Sequence, residues 1–576
     1  MASIQPRVSR GKKYWSIVES RRVNGKPRTV ILEYLGTAET LLSRIQQGRT
    51  VTVKSYAHGD SAALLGAAIE LEIIDIINRH VPAASKGIRQ KRDGLTVGAS
   101  LLLAAIGRAC HPTSKLGWYD WCRQSSLEYC LRSSFKNLNS QHFWDQMNAL
   151  PVESIPLIED EIAKKLWETH ELSGECLFFD TTNFFTFIDS SNSHCEIPQR
   201  GRNKQKRFDL RQIGLALLVS KDDQFPLFHQ TYRGNKNDVT VFKEVFHSLL
   251  TRMKRLAQEL ADVTIVFDKG NNSKDNFKLL DGESDLHYVG GLVPSYFKAL
   301  IKEANRNFLK IRIGDEMLPA YRIKREVWGK KRTCVVTVSK TLKQGQLRGI
   351  HQHLTKKYKD LESLKQQLEN PKATKLLSQK EIESRLKSII KGQFIEEILK
   401  YEIFKINDSR LSFTYFIDND AFETLQRDVL GRQIVVTNRH DWTSEHILQA
   451  YRGQSKIEYA NRCLKNPFHC AVRPQYHWTD QKIEIHFLIC IIGYLLATSV
   501  YSKAKRHAAY PRNISNLFQD LQSIRLACIS RHKSRKVKYQ LEAIPDDLHQ
   551  VLKVLGISDH SIRQKANLSD YSTSRN

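Results

Sequence analysis

The period of the apolar residues changes near the end of the first third of the chain. From about Ser61 to Leu172 apolar positions recur at helical spacing, as in "LTVGASLLLAAIGRAC". After Gly174 short apolar runs replace them, and these are "CLFFDTT", "QIGLALLV" and "FPLFHQTYRG", then a helical stretch, then "VTIVFDKGNN" and "HYVGGLV". The order β-β-β-α-β, followed by a helix and a further strand, predicts a mixed sheet with helices on its faces.

The segments on either side of this sheet have other patterns. Two strand-like runs flank Asn24-Gly25, which predicts a β-hairpin whose basic arms either contact phosphates or form a structural ribbon. Between about Pro294 and Asp441 strand-like runs alternate with a highly charged helical stretch, which we interpret as an inserted domain. The C-terminal part is again helical in pattern, with the basic clusters "SKAKRH" and "SRHKSRKVK".

These changes divide the chain into six regions. The predicted regions are a basic β-hairpin region (1–60), a helical and DNA-binding domain (61–172), the first part of the sheet core (173–293), a strand-rich insertion domain (294–441), the second part of the core (442–505) and a basic C-terminal helical region (506–576). We expect the helical region to bind DNA, although none of its segments has a clean helix-turn-helix pattern.

The charge of the chain indicates which kind of partner it binds. Lys and Arg number 89 against 61 Asp and Glu, a formal net charge of +28, which favours a polyanion such as nucleic acid over a merely basic surface. The most apolar run, Phe487 to Val500, is shorter than a membrane span and predicts a buried helix. Ten cysteines without CxxC pairs and an N-terminus without an apolar signal segment favour a cytoplasmic protein with no membrane partner.

Two aspartates end apolar strands of the predicted sheet. Asp180 closes "CLFFD" and Asp268 closes "VTIVFD". A buried carboxylate without a partner is costly, so each must pair with a base, reach solvent or bind a metal ion. Either acid alone fits a turn cap or a pair with a base such as Lys269. Two of them on the first and fourth strands of one sheet favour a metal site, because divalent ions that act on phosphodiesters are held by carboxylates.

A third acid stands alone in the basic stretch "YRGQSKIEYANRCLK". On a continuous helix, Tyr451, Gln454, Glu458, Arg462 and Lys465 form one polar stripe. Such a stripe suits a metal-bound phosphate, with Glu458 on the ion and its neighbours on phosphate oxygens. It equally suits a solvated face with a Glu458–Arg462 pair, and spacing alone leaves both open.

Taken together, these motifs resemble those of the DDE transposases of bacterial insertion sequences. They are most similar to the insertion-sequence-four superfamily, which has a Tyr-x2-Arg-x3-Glu-x6-Lys signature around the third acid and a strand-rich insertion before it. Tyr451, Glu458 and Lys465 match that spacing, whereas Gln454 stands at the position of the signature arginine. The likeness extends from about Ser173 to Ser502 and includes "DLRQIGLALLVSKDDQFPLFHQTYRGNKNDVTVF" and "RPQYHWTDQKIEIHFLICIIGYLLA".

This resemblance implies an α/β fold with a ribonuclease H-like core and a catalytic site that depends on Mg²⁺, with Mn²⁺ as an alternative. Asp180, Asp268 and Glu458 would be the catalytic residues and the ligands of two metal ions. The implied reaction is hydrolytic nicking and strand transfer on double-stranded DNA, at the inverted-repeat ends of the element and at its target. The implied assembly is a homodimer in a synaptic complex in a bacterial cytoplasm.

The same resemblance assigns DNA contacts to the neighbours of Glu458. Tyr451 and Lys465 would hold the DNA backbone, and Gln454 would donate a hydrogen bond without supplying charge. Arg452 or Arg462 would compensate for the missing arginine, and Arg462 is better placed on a helix.

Three other readings compete with an active transposase. One is a ribonuclease H-like nuclease that does not join strands, and another is a DNA-binding derivative that has lost catalysis. A ribosomal or other RNA-binding protein would explain the charge but not the three acids. Because all three acids are present, the sequence favours an active enzyme.

Overall fold

The fold is that of a computed structural model of the full chain. It describes residues 2–558 except for 24–25, 48–50, 84–94, 171, 173–174, 204, 237, 260–262, 269–272, 283–285, 372–376, 408–409 and 532–536.

A small antiparallel sheet and a helix form the N-terminal region. Its elements are β1 (Ala2–Ser9), β2 (Lys12–Val23), β3 (Lys26–Gly36) and α1 (Ala38–Gln47). Strands β2 and β3 are antiparallel, as the hairpin prediction required, and Val23 pairs with Lys26 across the turn. The predicted turn Asn24-Gly25 itself lies outside the described residues. Strand β1, which the sequence pattern did not predict, pairs along the other edge of β2.

The region predicted to be helical consists mainly of helices over its described part. It is preceded by a strand, β4 (Val51–Ala57), and its helices are α2 (Gly59–Glu70), α3 (Ile73–Arg79), α4 (Val97–Cys110), α5 (Trp118–Cys122), α6 (Leu127–Leu131), α7 (Ser140–Asn148) and α8 (Ile155–His170). Every residue of α4 is buried, so this helix lies inside the protein and not on a DNA-facing surface.

A nine-stranded mixed sheet forms the centre of the protein. Its strands are β5 (Leu177–Thr186), β6 (Arg211–Ser220), β7 (Pro226–Arg233), β8 (Thr264–Phe267), β9 (His287–Leu292), β10 (Leu309–Ile313), β11 (Glu316–Val327), β12 (Lys330–Val338) and, after an interruption, β15 (Arg432–Thr437). Helices α9 (Asp238–Glu259), α10 (Lys274–Asp281) and α11 (Lys298–Asn307) connect them. The order in space is β10-β11-β12-β15-β9-β8-β5-β6-β7, with β5, β8 and β9 mutually parallel. The predicted mixed sheet and the order of its first elements are therefore confirmed.

The region predicted as one strand-rich insertion domain is divided in two. Strands β10, β11, β12 and β15 extend the central sheet, since β12 pairs with β15 and β15 pairs with β9. Only the intervening elements have a core of their own, and these are α12 (Lys340–Glu369), α13 (Gln379–Ile390), α14 (Ile395–Ile398), β13 (Leu399–Asn407), β14 (Arg410–Ile417) and α15 (Asn419–Asp428). An apolar strand pattern reports burial but not which sheet supplies the partner, so the sequence could not assign these strands.

The last part of the chain returns to helices. They are α16 (Ser444–Arg452), α17 (Ser455–Lys465), α18 (Asp480–Ala508), α19 (Ile514–Ser523) and, at the end, α20 (His549–Leu555). By length and composition α18 could cross a membrane, but 94% of its most apolar stretch is buried inside the protein, as predicted for a core helix. The C-terminal region is not purely helical, because β16 (Arg525–Arg531) pairs with β4 and with β17 (Val537–Leu541).

Candidate active site

The parallel pairing of β5 and β8 places two aspartates side by side. Phe179 lies opposite Phe267 in this register. Asp180 follows the first of these residues and Asp268 follows the second, so both carboxylates leave the sheet at adjacent positions. Asp180 is half-buried within β5, and Asp268 is exposed just beyond the end of β8.

A buried phenylalanine packs against both strands next to the two aspartates. Phe242 of α9 is fully buried, and its ring centroid lies 5.6 Å from that of Phe179 and 5.5 Å from that of Phe267. The residues that directly precede the two aspartates therefore pack on the same side chain. This packing fixes the position of one strand end relative to the other.

The third acid comes from a helix that is broken, not continuous. Helix α16 ends at Arg452 and α17 begins at Ser455, so the predicted single stripe over Tyr451 to Lys465 is divided between two helices. Gly453 lies at the break, where an added Cβ would stand 2.3 Å from Cζ of Phe178 in β5. The close approach of helix and strand at this glycine sets the path of the chain, and the prediction of one uninterrupted helix is wrong.

One cavity of about 1010 Å³ collects these residues. Asp180, Asp268 and Glu458 all line it, although they come from three distant segments of the chain. Of the predicted DNA contacts, Gln454, Arg462 and Lys465 line it as well. The remaining lining residues are Phe179, Thr181, Thr182, Asn183, Gly201, Arg202, Asn203, Gln205, Asn235, Lys236, Ile457 and Asn461.

Asp180 is held by a residue that the sequence analysis missed. Nδ2 of Asn461 donates to Oδ2 of Asp180 at 2.9 Å. Asn461 is buried, with 7% exposure, and among the described residues its Oδ1 has no hydrogen-bond partner. Asn461 follows Glu458 by three positions on α17, so helical spacing from the acid was the signal that could have found it.

The hydroxyl of Tyr451 contacts Asp268, and Tyr451 does not line the cavity. It is 6% exposed, and its hydroxyl donates to Oδ1 of Asp268 at 3.0 Å. Burial and the neighbouring negative charge of Asp268 raise the pKa of Tyr451 far above its usual range, so this hydroxyl stays protonated. Gly291 in β9 makes room for it, because a Cβ there would lie 2.3 Å from the hydroxyl oxygen.

The bases around Glu458 divide into two groups. Nζ of Lys465 contacts Oγ1 of Thr182 in β5, and its charge lies 5.3 Å from the centre of the Phe184 ring. Arg462 is exposed at the cavity, with its guanidinium 5.3 Å from the centre of the Tyr459 ring. Arg452 instead pairs with Glu316 at 3.0 Å, outside the cavity lining. Of the two candidates to replace the signature arginine, only Arg462 lies at the cavity.

Other polar residues of the lining were not singled out from the sequence. Arg202 and Asn203 come from the loop between β5 and β6, and Lys236 follows β7 and pairs with Glu244. Loops carry no period that marks a cavity, although the basic run "RGRNKQKR" was visible in the sequence.

The donor chemistry of the cavity fits a hard divalent cation. Its acids supply carboxylate oxygens, which Mg²⁺ prefers as ligands. Within the described part of the chain no three Asp, Glu, His or Cys side chains already converge as metal ligands. Glu458 is exposed, so its side chain can turn towards the strand ends without disturbing the core.

Comparison with known proteins identifies the family of the chain. None of the curated proteins compared with the chain matches it. A cryo-EM structure of a piggyBac transposase synaptic complex with hairpin DNA aligns with 80% of this chain and 79% of its own, at 10% identity and a TM-score of 0.37. The sequence profile of the family described as transposase DDE domain matches residues 185–496, which include Asp268 and Glu458 and begin five residues after Asp180. Because this match covers more than half of the chain, the protein belongs to the DDE transposase family.

Proposed function

We propose that this protein is the transposase of a bacterial insertion sequence of the Tyr-Arg-Glu-Lys signature group, with a ribonuclease H-like core. It binds the terminal inverted repeats of its element and catalyses DNA cleavage and strand transfer. The observation that carries this proposal is the meeting of Asp180, Asp268 and Glu458 at one cavity from three separate segments.

In this proposal the three acids hold divalent metal, Mg²⁺ or Mn²⁺. When bound, two such ions supply the activation of the attacking oxygen and the stabilisation of the leaving oxygen of a phosphodiester. Asn461 keeps the carboxylate of Asp180 in one orientation, and Tyr451 does the same for Asp268. The role of Tyr451 is therefore to position an acid and not to contact the DNA backbone.

The bases of the cavity bind the substrate. Arg462, Lys465 and Arg202 line it on α17 and on the β5–β6 loop, where their charges fit the phosphates on either side of the cleaved bond. Gln454 donates a neutral hydrogen bond to the same backbone. We extend the proposal to a dimer that pairs two DNA ends in the bacterial cytoplasm.

The proposal is tested by cleavage of DNA that flanks the gene. Purified protein is incubated with a plasmid that carries this DNA and Mg²⁺, and nicks are mapped by primer extension. We expect the wild type to nick at the ends of the element, and Asp180→Asn and Glu458→Gln to bind the same DNA without nicking it. Asp315→Asn, which changes a fully exposed carboxylate in a turn, is the matched control.

Each alternative gives a different result in the same assay. Nicking without joining of a pre-cleaved 3′-hydroxyl end to a second plasmid identifies a nuclease. Equal nicking by the wild type and Glu458→Gln would overturn the assignment of the site, and binding without nicking by the wild type identifies an inactive derivative.

A further inference from the structure

A fully buried glutamine lies behind one wall of the catalytic cavity. Gln212, near the start of β6, is 0% exposed, although glutamine is mostly a surface residue. Its backbone exchanges hydrogen bonds of 2.9 and 3.1 Å with Gln199, so the β5–β6 loop runs back alongside β6 at this point. Burial of an amide costs free energy unless hydrogen bonds replace those to water. The partners of the Gln212 side chain therefore indicate what it stabilises.

The amide of Gln212 joins two segments that line the cavity. Its Nε2 donates to the carbonyl oxygen of Gly234 at 2.6 Å and to that of Arg202 at 3.3 Å. Arg202 belongs to the β5–β6 loop, and Gly234 begins the segment 234–236 that follows β7. The backbone N–H of Gly234 also donates to the carbonyl oxygen of Ile197 at 3.1 Å, which ties the two segments directly. Among the described residues Oε1 of Gln212 has no partner, so the donor end of the amide makes the connection.

Two glycines allow these segments to approach so closely. A Cβ on Gly201 would stand 2.4 Å from the carbonyl oxygen of Gly234 and 2.8 Å from Nε2 of Gln212. A Cβ on Gly234 would stand 1.9 Å from the backbone oxygen of Gln212. Because a close-packed interior leaves no room for either atom, the contact depends on the absence of both side chains.

The backbone held in this way carries positive charge at the cavity. Arg202 and Lys236 both line it, whereas Gln212 does not. The side chain of Arg202 is exposed, while its carbonyl oxygen accepts from the buried amide. A base on a fixed backbone binds a phosphate at a lower entropy cost than a base on a loop that must first become ordered.

We propose that Gln212 positions Arg202 for a phosphate of the DNA that occupies the cavity, an inference that rests on the proposed function. Gln212 does not contact the DNA and acts through the carbonyl oxygens of Arg202 and Gly234. Loss of its donor leaves both oxygens unpaired in a buried place, so the two segments separate until water reaches them. The contact between Arg202 and the phosphate is then lost.

The test is the salt dependence of DNA binding. Affinity for a labelled duplex from the DNA that flanks the gene is measured by fluorescence anisotropy between about 50 and 200 mM salt. One phosphate contact contributes about 0.9 to the slope of log affinity against log salt. We expect Gln212→Met, which keeps the length of the side chain but has no donor, to make the slope shallower by about 0.9. Since this change leaves the charge of the protein unaltered, a shallower slope reports a lost contact.

A double variant shows whether Gln212 acts through Arg202. Arg202→Ala alone should make the slope shallower by about 0.9 as well. Gln212→Met and Arg202→Ala together should have no larger effect than either change alone, because both remove the same contact.

Two further variants separate positioning from a general effect on the fold. Ser220→Ala removes a buried hydroxyl at the other end of β6, where it accepts from the backbone N–H of Phe225 at 3.0 Å, and should leave the slope unchanged. Gly201→Ala pushes the β5–β6 loop away from Gly234 from the loop side. It should make the slope shallower by about 0.9, and it decides the question if Gln212→Met does not fold.

The results that overturn this inference are distinct from those that overturn the proposed function. A wild-type slope for Gln212→Met, or a change of about 1.8 for the double variant, refutes the positioning of Arg202 even when the wild type binds and nicks DNA. Binding without nicking by the wild type refutes an active transposase and leaves the slopes to be compared. Failure of the wild type to bind DNA refutes both proposals.

Discussion

Asn461 donates its hydrogen bond to Asp180 from the same helix that carries Glu458, and this links the first acid of the site to the third. Helix α17 therefore does two things at once. It presents one carboxylate at the cavity and fixes the orientation of another on the neighbouring strand.

This link predicts the effect of Asn461→Ala. Removal of the amide frees the carboxylate of Asp180 to rotate, and loss of such a supporting contact typically costs 10- to 100-fold in metal affinity or activity. We expect the Mg²⁺ concentration for half-maximal cleavage to rise by about that factor. DNA binding measured without Mg²⁺ should be unchanged. A lower cleavage rate with an unaltered Mg²⁺ dependence would show that Asn461 only supports the fold.

Gly291 and Tyr451 should behave as a coupled pair. Gly291→Ala places a methyl group where the Tyr451 hydroxyl lies, and Tyr451→Phe removes that hydroxyl from Asp268. Each change should reduce cleavage, and Gly291→Ala should cost less in the Tyr451→Phe background than in the wild type. The reason is that the 2.3 Å contact with the hydroxyl oxygen is gone and the nearest remaining contact, 2.9 Å to Cζ, is milder. Cleavage rates of the four proteins at saturating DNA measure this. Additive losses would show that Gly291 acts through something other than Tyr451.

Gln454→Arg should place a positive charge at the cavity, at the position of the signature arginine. Gln454 lines the cavity, so an arginine there adds a base beside the proposed phosphate path. We expect tighter DNA binding and a dependence of log affinity on log salt that is steeper by about 0.9. Gln352→Arg adds the same charge on an exposed face of α12 and is the control. Equal slopes for the two variants would contradict a specific phosphate contact at position 454.

Phe242→Ala should destabilise the protein as well as the site. The buried ring packs on Phe179 and Phe267, and truncation of a buried phenylalanine usually costs about 3–5 kcal/mol. Urea unfolding, followed by circular dichroism, measures the change. Phe208→Ala, at a side chain that is 57% exposed, should shift the free energy of unfolding by less than about 0.5 kcal/mol. An equal effect of the two would refute the packing role of Phe242.

Lys115 should make stability depend on pH. Burial and the nearby charge of Arg108 lower the pKa of Lys115 to about 7, and its Nζ lies 3.0 Å from Nε2 of His477. An unfolded lysine has a pKa near 10.4, so between these values the unfolded state binds one more proton. The contribution of Lys115 to the free energy of unfolding is complete above about pH 10.4, and it is lost as the pH falls towards 7.

The free energies of unfolding of the wild type and of Lys115→Met are measured by urea unfolding. The pH is varied from neutral to the pKa of an unfolded lysine. The difference in their free energies of unfolding should change by about 1.4 kcal/mol per pH unit, with the wild type gaining stability as the pH rises. Parallel curves for the two proteins would show that Lys115 is charged in the folded state.

The sequence by itself determined the class of fold and the place of two acids. Runs that are apolar on both faces belong to the interior of a sheet, so "CLFFD" and "VTIVFD" marked strands that end in a carboxylate. The short apolar run Phe487 to Val500 marked the core helix α18 in the same way, and helical spacing marked residues 61–172. These properties are local, because the spacing of apolar residues within a segment indicates which of its faces are buried.

Tertiary structure decided which segments meet. The break at Gly453 follows from the approach of Phe178, and the hydroxyl of Tyr451 reaches Asp268 only because Gly291 has no side chain. The partner of Asp180 likewise comes from a helix 281 positions away along the chain. Contacts of this kind depend on steric fit between distant segments, which no periodic pattern in one segment records.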